Sequence, residues 1–355
     1  MSREIAFRYN LLRGGAFYAR LRALESDTPR IRMNRTDSIK TAFTGTFAPE
    51  AEDADGRPMP INFLTDEIQP VLVIDGEPHP LGVFVPTTPK NSEESGVDRV
   101  RVEAYDRCQR VLDTNSARLL YWPRGTLYLD AVEQLLSEAG ILTVFKTPSA
   151  AAFTEPREDW PAGTPYLDVI NELLGEIGYN PLWFDAAGHA ILEPASEPEA
   201  AQIEHTLDAA DPDTRVRPGI SREVDLFSAP NVFVVLCANP EKSGPMSAEA
   251  RNENPQSPLS IPRRGRRIVS VTTVNNVTSQ ADLQALADKM RNDSLISGET
   301  IDVSTGLLPG WGVGDVVALR YGDLTTLCVE DAYDMELKLG GRMSHTLRKV
   351  VYNLD

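Results

Sequence analysis

Four arginines, Arg263, Arg264, Arg266 and Arg267, stand within the run IPRRGRR. Guanidinium groups at this density can fork onto carboxylates or phosphates. They close a stretch, 238–262, of mixed Pro, Ser, Glu and Asn with no helical or strand periodicity. A loop of this length inside a compact domain is usually functional or disordered. The rest of the chain opposes a nucleic-acid surface: 52 acidic against 35 basic residues give a net charge of −17, whereas such surfaces neutralise phosphates with Lys and Arg. A solvated loop end is the commonest reading of such a cluster, contact with an acidic partner or with the chain's own acidic neighbours comes next, and a nucleic-acid contact comes last; the loop with its arginines is the candidate partner contact.

Other groups with chemical potential fall short of a site. Gly310, Gly312 and Gly314 in PGWGVGD resemble a phosphate-binding loop, but DVVALRY after them reads as a strand where a dinucleotide fingerprint needs a helix. The expected structure is a turn feeding a strand. His79, His189, His205 and His345 stand at no metal-ligand spacing, and Cys108, Cys237 and Cys328 are far apart and odd in number. No Gly-x-Ser-x-Gly elbow is present. Carboxylates are abundant, and a pair of them across a cleft could cleave a glycan; a carboxylate-based cell-wall hydrolase is therefore the alternative reading. No catalytic, cofactor or metal residue is assigned.

The elements that would position these groups fall into three parts. Residues 1–112 read as β: Ile5, Phe7, Tyr9 and Leu11 alternate, as do Val100, Val102 and Ala104, with turns at RGG, DADGRP and DGEPHP. Residues 113–220 form a helical α+β insert. Its core is a sentence written twice, GTLYLDAVEQLLSEAG at 125–140 and GTPYLDVINELLGEIG at 163–178, identical at nine of sixteen positions. Thr126 and Thr164 stand where N-caps are expected, Pro165 at the first helical position, and Gly140 and Gly178 at the stops. Residues 195–220 are polar and poorly patterned. Residues 221–355 return to β with one helix, from Ser279, whose Leu283, Leu286, Ala287 and Met290 share a side. Gly340–Gly341 suits a tight primed turn. The fold class is α+β, mostly β: two β-barrel domains, 1–112 and 221–355, flanking the insert 113–220. No run of about 18 apolar residues exists for a membrane span, and MSREIAFRYN lacks the apolar segment of a signal peptide.

The order of these segments resembles the phage tail hub family, the baseplate-hub and tail-tip hub proteins. RIRMNRTDSIKTAFTGTF (30–47), GEPHPLGVFVPTTP (76–89) and VRVEAYDRCQRVLD (100–113) are similar to its early strands. The twin helices, NVFVVL (231–236), NENPQSPLSIPRRGRR (252–267) and GVGDVVAL (312–319) follow in the family's order. The resemblance implies tail-tube-like barrels and a homotrimer in which three chains present six barrels around a channel. It implies as partners the distal tail or tail-tube ring, the tape-measure protein and a tail fibre or spike, with DNA passing unbound. It places the chain in the virion tail, assembled in the bacterial cytoplasm. Some hubs carry a fused lysozyme or peptidase; with the chain ending at Asp355, no hydrolase and no cofactor are expected. A hub of a phage-derived injection machine fits the same features.

Overall fold

The computed structural model describes residues 4–24, 27–94, 96–195, 202–224, 229–237, 246–274 and 280–350. The chain divides into two compact units, 1–195 with 306–313 and 332–343, and 196–305 with 314–331 and 344–355.

The first unit opens with β1 (Ile5–Arg13), β2 (Ala16–Ala23), β3 (Arg30–Asn34), β4 (Thr41–Glu52) and β5 (Pro58–Met59). It continues with β6 (Asp66–Ile74), β7 (Glu77–Pro80), β8 (Phe84–Pro86), β9 (Lys90–Glu94) and β10 (Val97–Asp106). Six of these close a ring: β1 pairs with β2 and β6, β2 with β4, β4 with β10, β10 with β8, and β8 with β6. Alternation along each strand sends one set of side chains inward. Tyr9, Phe43, Phe47 and Phe84 meet there, with Phe43 5.5 Å from Phe84 and 6.1 Å from both Tyr9 and Phe47 by ring centroid. All but Tyr9 are fully buried. A barrel this narrow is filled by its own side chains and encloses no passage.

The insert follows as α1 (Cys108–Asp113), α2 (Tyr128–Glu138), β11 (Val144–Lys146), α3 (Tyr166–Glu176), β12 (Trp183–Phe184) and β13 (Ala190–Leu192). Its core includes Leu129, Val132, Leu135 and Leu136 of α2 with Leu167, Ile170, Leu173 and Leu174 of α3. Both helices end in a Schellman motif. Gly140 (φ 78°) and Gly178 (φ 73°) occupy the left-handed position, and the N–H groups of Ile141 and Tyr179 reach back to Leu136 and Leu174. The starts differ from expectation. Leu127 and Pro165 hold the N-cap positions and no side chain caps either helix. The Thr126 and Thr164 hydroxyls instead donate to the carbonyls of Pro123 and Pro161, both at 2.9 Å, closing the preceding turns. The duplication is also a cross-brace. Tyr128 donates to Glu176 (2.8 Å) and Tyr166 to Glu138 (2.6 Å), each helix's first residue holding the other's last. Trp122 and Trp160 donate in parallel to Gln134 (3.0 Å) and Glu172 (2.8 Å).

Arg107 fastens insert to barrel. Its guanidinium forks onto Glu67 of β6 (3.0 and 2.6 Å) and donates to the Gly188 carbonyl (2.7 Å). Gly188 has φ 82°, and a Cβ there would stand 2.8 Å from Val83 Cγ2. Only glycine permits that approach.

The second unit contains β14 (Ile203–Asp208), β15 (Val216–Val224), β16 (Val232–Cys237), β17 (Met246–Arg251), α4 (Ile261–Arg264) and β18 (Val269–Val274). After them come α5 (Gln280–Leu295), β19 (Ile296–Thr305), β20 (Val316–Tyr321), β21 (Leu324–Glu336) and β22 (Met343–Val350). One sheet runs β15-β19-β22-β21-β20-β14, and a separate one β17-β16-β18. The last residues of β21, Ala332–Glu336, pair with β3 in the first unit's fold.

Three expectations are corrected. The stretch 238–262 is not wholly a loop. Met246–Arg251 pairs in register with β16 and buries Ala248 and Ala250, while Asn252, Ser257, Leu259 and Ser260 are buried in the turn that follows. Residues 238–245 lie outside the described residues. Within 195–220 the polar sequence forms β14 and begins β15, which pair with β20 and β19; among the described residues each is an edge strand. Gly340–Gly341 belongs to a six-residue connection between Glu336 and Met343, closed by the Glu336 N–H on Arg342 O (3.0 Å), not to a two-residue turn. The turn at Gly314 (φ 79°) does feed β20.

Candidate functional site

The arginine cluster has a built scaffold. Ser260 caps α4 by accepting the Arg263 N–H (3.4 Å), and Gly265 (φ 64°) ends the turn. Arg263 and Arg264 are tied to the carbonyls of Pro255 (2.9 Å) and Ala229 (2.5 Å). The Asn231 side chain clamps the segment, donating to the carbonyls of Leu259 and Arg266 and accepting the Ile268 N–H. Arg263, Arg266 and Arg267 face solvent. The basic run therefore leads, held firmly, straight into β18.

That strand borders a bare apolar surface. One face of the β17-β16-β18 sheet is covered by α5, where Val235, Cys237, Ala248 and Ala250 pack on Leu283 and Ala287. On the opposite face the register aligns Val234 with Val271, Val232 with Val269 and Leu236 with Thr273. Val269 is 53 %, Val271 58 % and Leu236 37 % exposed. Among the described residues, β18 pairs only with β16, so its outer edge is open as well. Contiguous exposed apolar surface beside an open edge marks an interaction surface.

A second constellation has the outline of a catalytic relay. His345 on β22 sits between Glu330 of β21 (Nδ1 to Oε2, 2.9 Å) and Thr305 at the end of β19 (Nε2 to Oγ1, 3.0 Å). All three are sealed from solvent. Burial, then the charges of Asp315 and Asp331, pushes the Glu330 carboxyl well above its usual range, and burial drives His345 down to about 3. The consistent state is a protonated Glu330 donating to a neutral His345, whose Nε2–H donates to Thr305. Glu330 Oε1 has no hydrogen-bond partner. A hydroxyl buried in this way touches no substrate, so the relay is a structural element of the sheet.

In the first unit a cavity of about 40 Å³ is lined by Met33, Phe84, Asp106, Trp183, Trp311 and Tyr333, among others. It is far smaller than a small-molecule site of roughly 300 Å³ or more. Both of its carboxylates are already engaged: Asp106 accepts the N–H groups of Thr41 (2.9 Å) and Cys108 (2.8 Å), and Asp185 those of Ala187 (2.9 Å) and His189 (2.8 Å). Among the described residues, no group of three or more His, Cys, Asp or Glu is placed to hold a metal, and no helix is long and apolar enough to cross a membrane.

No family model and no curated protein matches the sequence. Solved structures do match. A tail protein from Neisseria meningitidis superimposes with a TM-score of 0.66 at 14% identity, covering 97% of this chain and 96% of the other. The 43 kDa tail protein of prophage MuSo2 from Shewanella oneidensis gives 0.66 at 13% identity, covering 96% and 98%. An E. coli component of the type VI secretion system gives 0.53 at 13% identity, covering 99% and 77%.

The chain has the fold of phage tail proteins.

The tail fold accounts for what the sequence left obscure. The four arginines were legible, but the bare face beside them was not, although RIVSVTTV alternates; alternation says which residues share a face and not whether that face is covered. The relay within the tail fold carries no local signal, since Thr305, Glu330 and His345 meet only through strand pairing.

Proposed function

We propose that this chain is a structural hub of a phage tail tip. Three copies form a ring that joins the six-fold tail tube to a three-fold tip and lines the channel for DNA and the tape-measure protein. Each copy contributes two β domains with the helical insert between them. The observation that carries the reading is the match to tail proteins along nearly the whole length of both chains. The filled barrel supports it further: the first unit's barrel encloses no passage, so the proposed channel runs between copies. The net charge of −17 suits a wall that repels DNA and lets it slide. Arg263, Arg264, Arg266 and Arg267 serve as partner contacts rather than DNA contacts. The hub meets the distal tail ring on one side and a fibre or spike on the other, sits in the virion tail, assembles in the host cytoplasm and carries no enzymatic activity. Mass photometry tests the ring. The expected species has three times the 39.1 kDa chain mass, alone or with the tail-tube ring protein added. A chain that stays monomeric under both conditions contradicts the reading.

A further inference from the structure

We propose that the first half of the insert's repeat carries an open arginine site, in which Glu138, with Leu119 and Tyr121 beside it, takes an arginine side chain presented by a separate protein. The site stands apart from the ring proposed above and does not depend on it.

The insert supplies its own comparison. The repeat extends upstream of the helices, so that Trp122 and Pro123 answer Trp160 and Pro161. The two upstream segments lie antiparallel. Trp122 and Arg157 exchange backbone hydrogen bonds (3.0 and 2.9 Å), and the Leu120 N–H donates to the Trp160 carbonyl (3.2 Å). Each half holds a glutamate under the other half's tyrosine: Glu176 accepts Tyr128, and Glu138 accepts Tyr166. Beyond that the two carboxylates differ. Arg157 forks onto both oxygens of Glu176 (2.7 and 3.0 Å), with its guanidinium 4.7 Å from the Trp160 ring centroid. The Arg157 side chain is only 11 % exposed, and under it Glu176 is 16 % exposed.

In the first half the position of Arg157 is taken by Leu119 and that of Asp159 by Tyr121. Leu119 is 49 % and Tyr121 57 % exposed, and Glu138 faces solvent. Its cradle is complete: Tyr166 donates to Oε2 (2.6 Å) and Gln134 to Oε1 (3.0 Å). These two bonds, Tyr166 first, hold the Glu138 carboxyl below its ordinary value and keep it charged. Among the described residues Glu138 forms no ion pair. Arg118 adds a longer-range Coulombic pull on both Glu138 and Tyr166, which places the Leu119 segment beside the cradle. Trp122 stands where Trp160 does, and Asn115 where Phe153 does, so one of the two rings near the Arg157 guanidinium has a counterpart here.

The second half thus shows what the first half's cradle is shaped to hold. A guanidinium suits it better than an ammonium, because only the guanidinium forks onto a carboxylate and stacks on a ring in one pose. An exposed tyrosine beside an arginine site joins two of the side chains that dominate interface energetics. A separate protein is the occupant that charge favours, since every copy of this chain carries −17.

A short peptide tests the site. The probe is acetyl-Leu-Arg-Leu-amide, titrated into the whole chain and followed by NMR. The Leu119 and Tyr121 signals should shift, and acetyl-Leu-Lys-Leu-amide should bind about threefold more weakly or worse. Glu138→Gln, which keeps an acceptor for Tyr166 and removes the charge, should weaken the arginine peptide about tenfold. Leu119→Arg, which supplies the guanidinium from within the chain as Arg157 does, should weaken it as much. Circular dichroism checks folding, and both side chains lie on the surface. Absence of binding, equal binding of the two peptides, or binding unchanged in Glu138→Gln overturns the site. Binding that emerges only in Arg118→Ala shows that Arg118 fills the cradle from within, and overturns it as well. Mass photometry separates the two protein sources. An oligomer of the parent that dissociates in Glu138→Gln or Leu119→Arg makes the occupant a second copy and overturns a separate partner; an unchanged oligomer supports one. A parent chain that stays monomeric sinks the ring and leaves this site standing.

Discussion

The barrel strands of the first unit and the β17-β16-β18 sheet of the second follow the same alternation and end differently. In the barrel, β4 pairs with both β2 and β10, the ring closes, and Phe43, Phe47 and Phe84 are sealed. In the small sheet one face meets α5 and the other leaves Val269 and Val271 in solvent. Apolar side chains on a strand are thus spent on stability in one place and left available for association in the other. Polar groups show the reverse contrast. In the barrel, buried Asp66 is paired with Arg13. For Asp66 burial raises the pKa, but the Arg13 hydrogen bonds prevail and hold it below its usual value. The second unit's Glu330 is buried among like charges and stays protonated.

Substitutions at four positions grade this difference. Phe43→Ala should cost about 3–5 kcal/mol, since it opens a cavity among rings that cannot collapse inward; chemical denaturation measures it, and a cost under about 1 kcal/mol would mean that the barrel core is loosely packed. Arg107→Ala should cost about 3 kcal/mol by leaving buried Glu67 with only the longer contact to Arg110 (3.5 Å), with Arg107→Lys recovering only part because it cannot fork.

Glu330→Gln should act through pH. A carboxyl with a raised folded pKa contributes fully below its unfolded value of about 4.3 and loses that contribution as pH rises, at about 1.4 kcal/mol per unit until the folded value is reached. The parent protein should therefore lose stability between pH 5 and pH 8, and the variant should lose less. His345, lowered to about 3, works in the opposite direction, with stability falling as pH drops below about 6.5, so the acid limb should survive in Glu330→Gln. Thermal melts across pH separate the limbs, and identical profiles for parent and variant would contradict a protonated Glu330. Smallest of all, Val271→Asn should change the stability of the isolated chain by no more than about 0.5 kcal/mol. A larger loss would show that the bare face is covered within the chain.

Much of this was legible in the sequence, for physical reasons. Alternation at Ile5 to Leu11 announces a barrel strand because one face is buried along its length. The twin helices were readable from their stripes and from Gly140 and Gly178, since a left-handed stop tolerates few other residues. Their N-termini were misread: a threonine hydroxyl has several nearby acceptors, and the Pro123 and Pro161 carbonyls won. The strand Met246–Arg251 was missed because Met246, Ala248 and Ala250 carry too little apolar bulk to declare an inward face. The relay of Thr305, Glu330 and His345 and the bare face beside the arginines depend on pairing between distant segments, which composition and spacing do not encode.

Class-averaged electron microscopy of the purified chain, with the tail-tube ring protein if needed, bears most directly on the proposed hub role. A three-fold ring with six β lobes around an open centre is the predicted top view. Single compact particles, or a ring of any other symmetry, would contradict it.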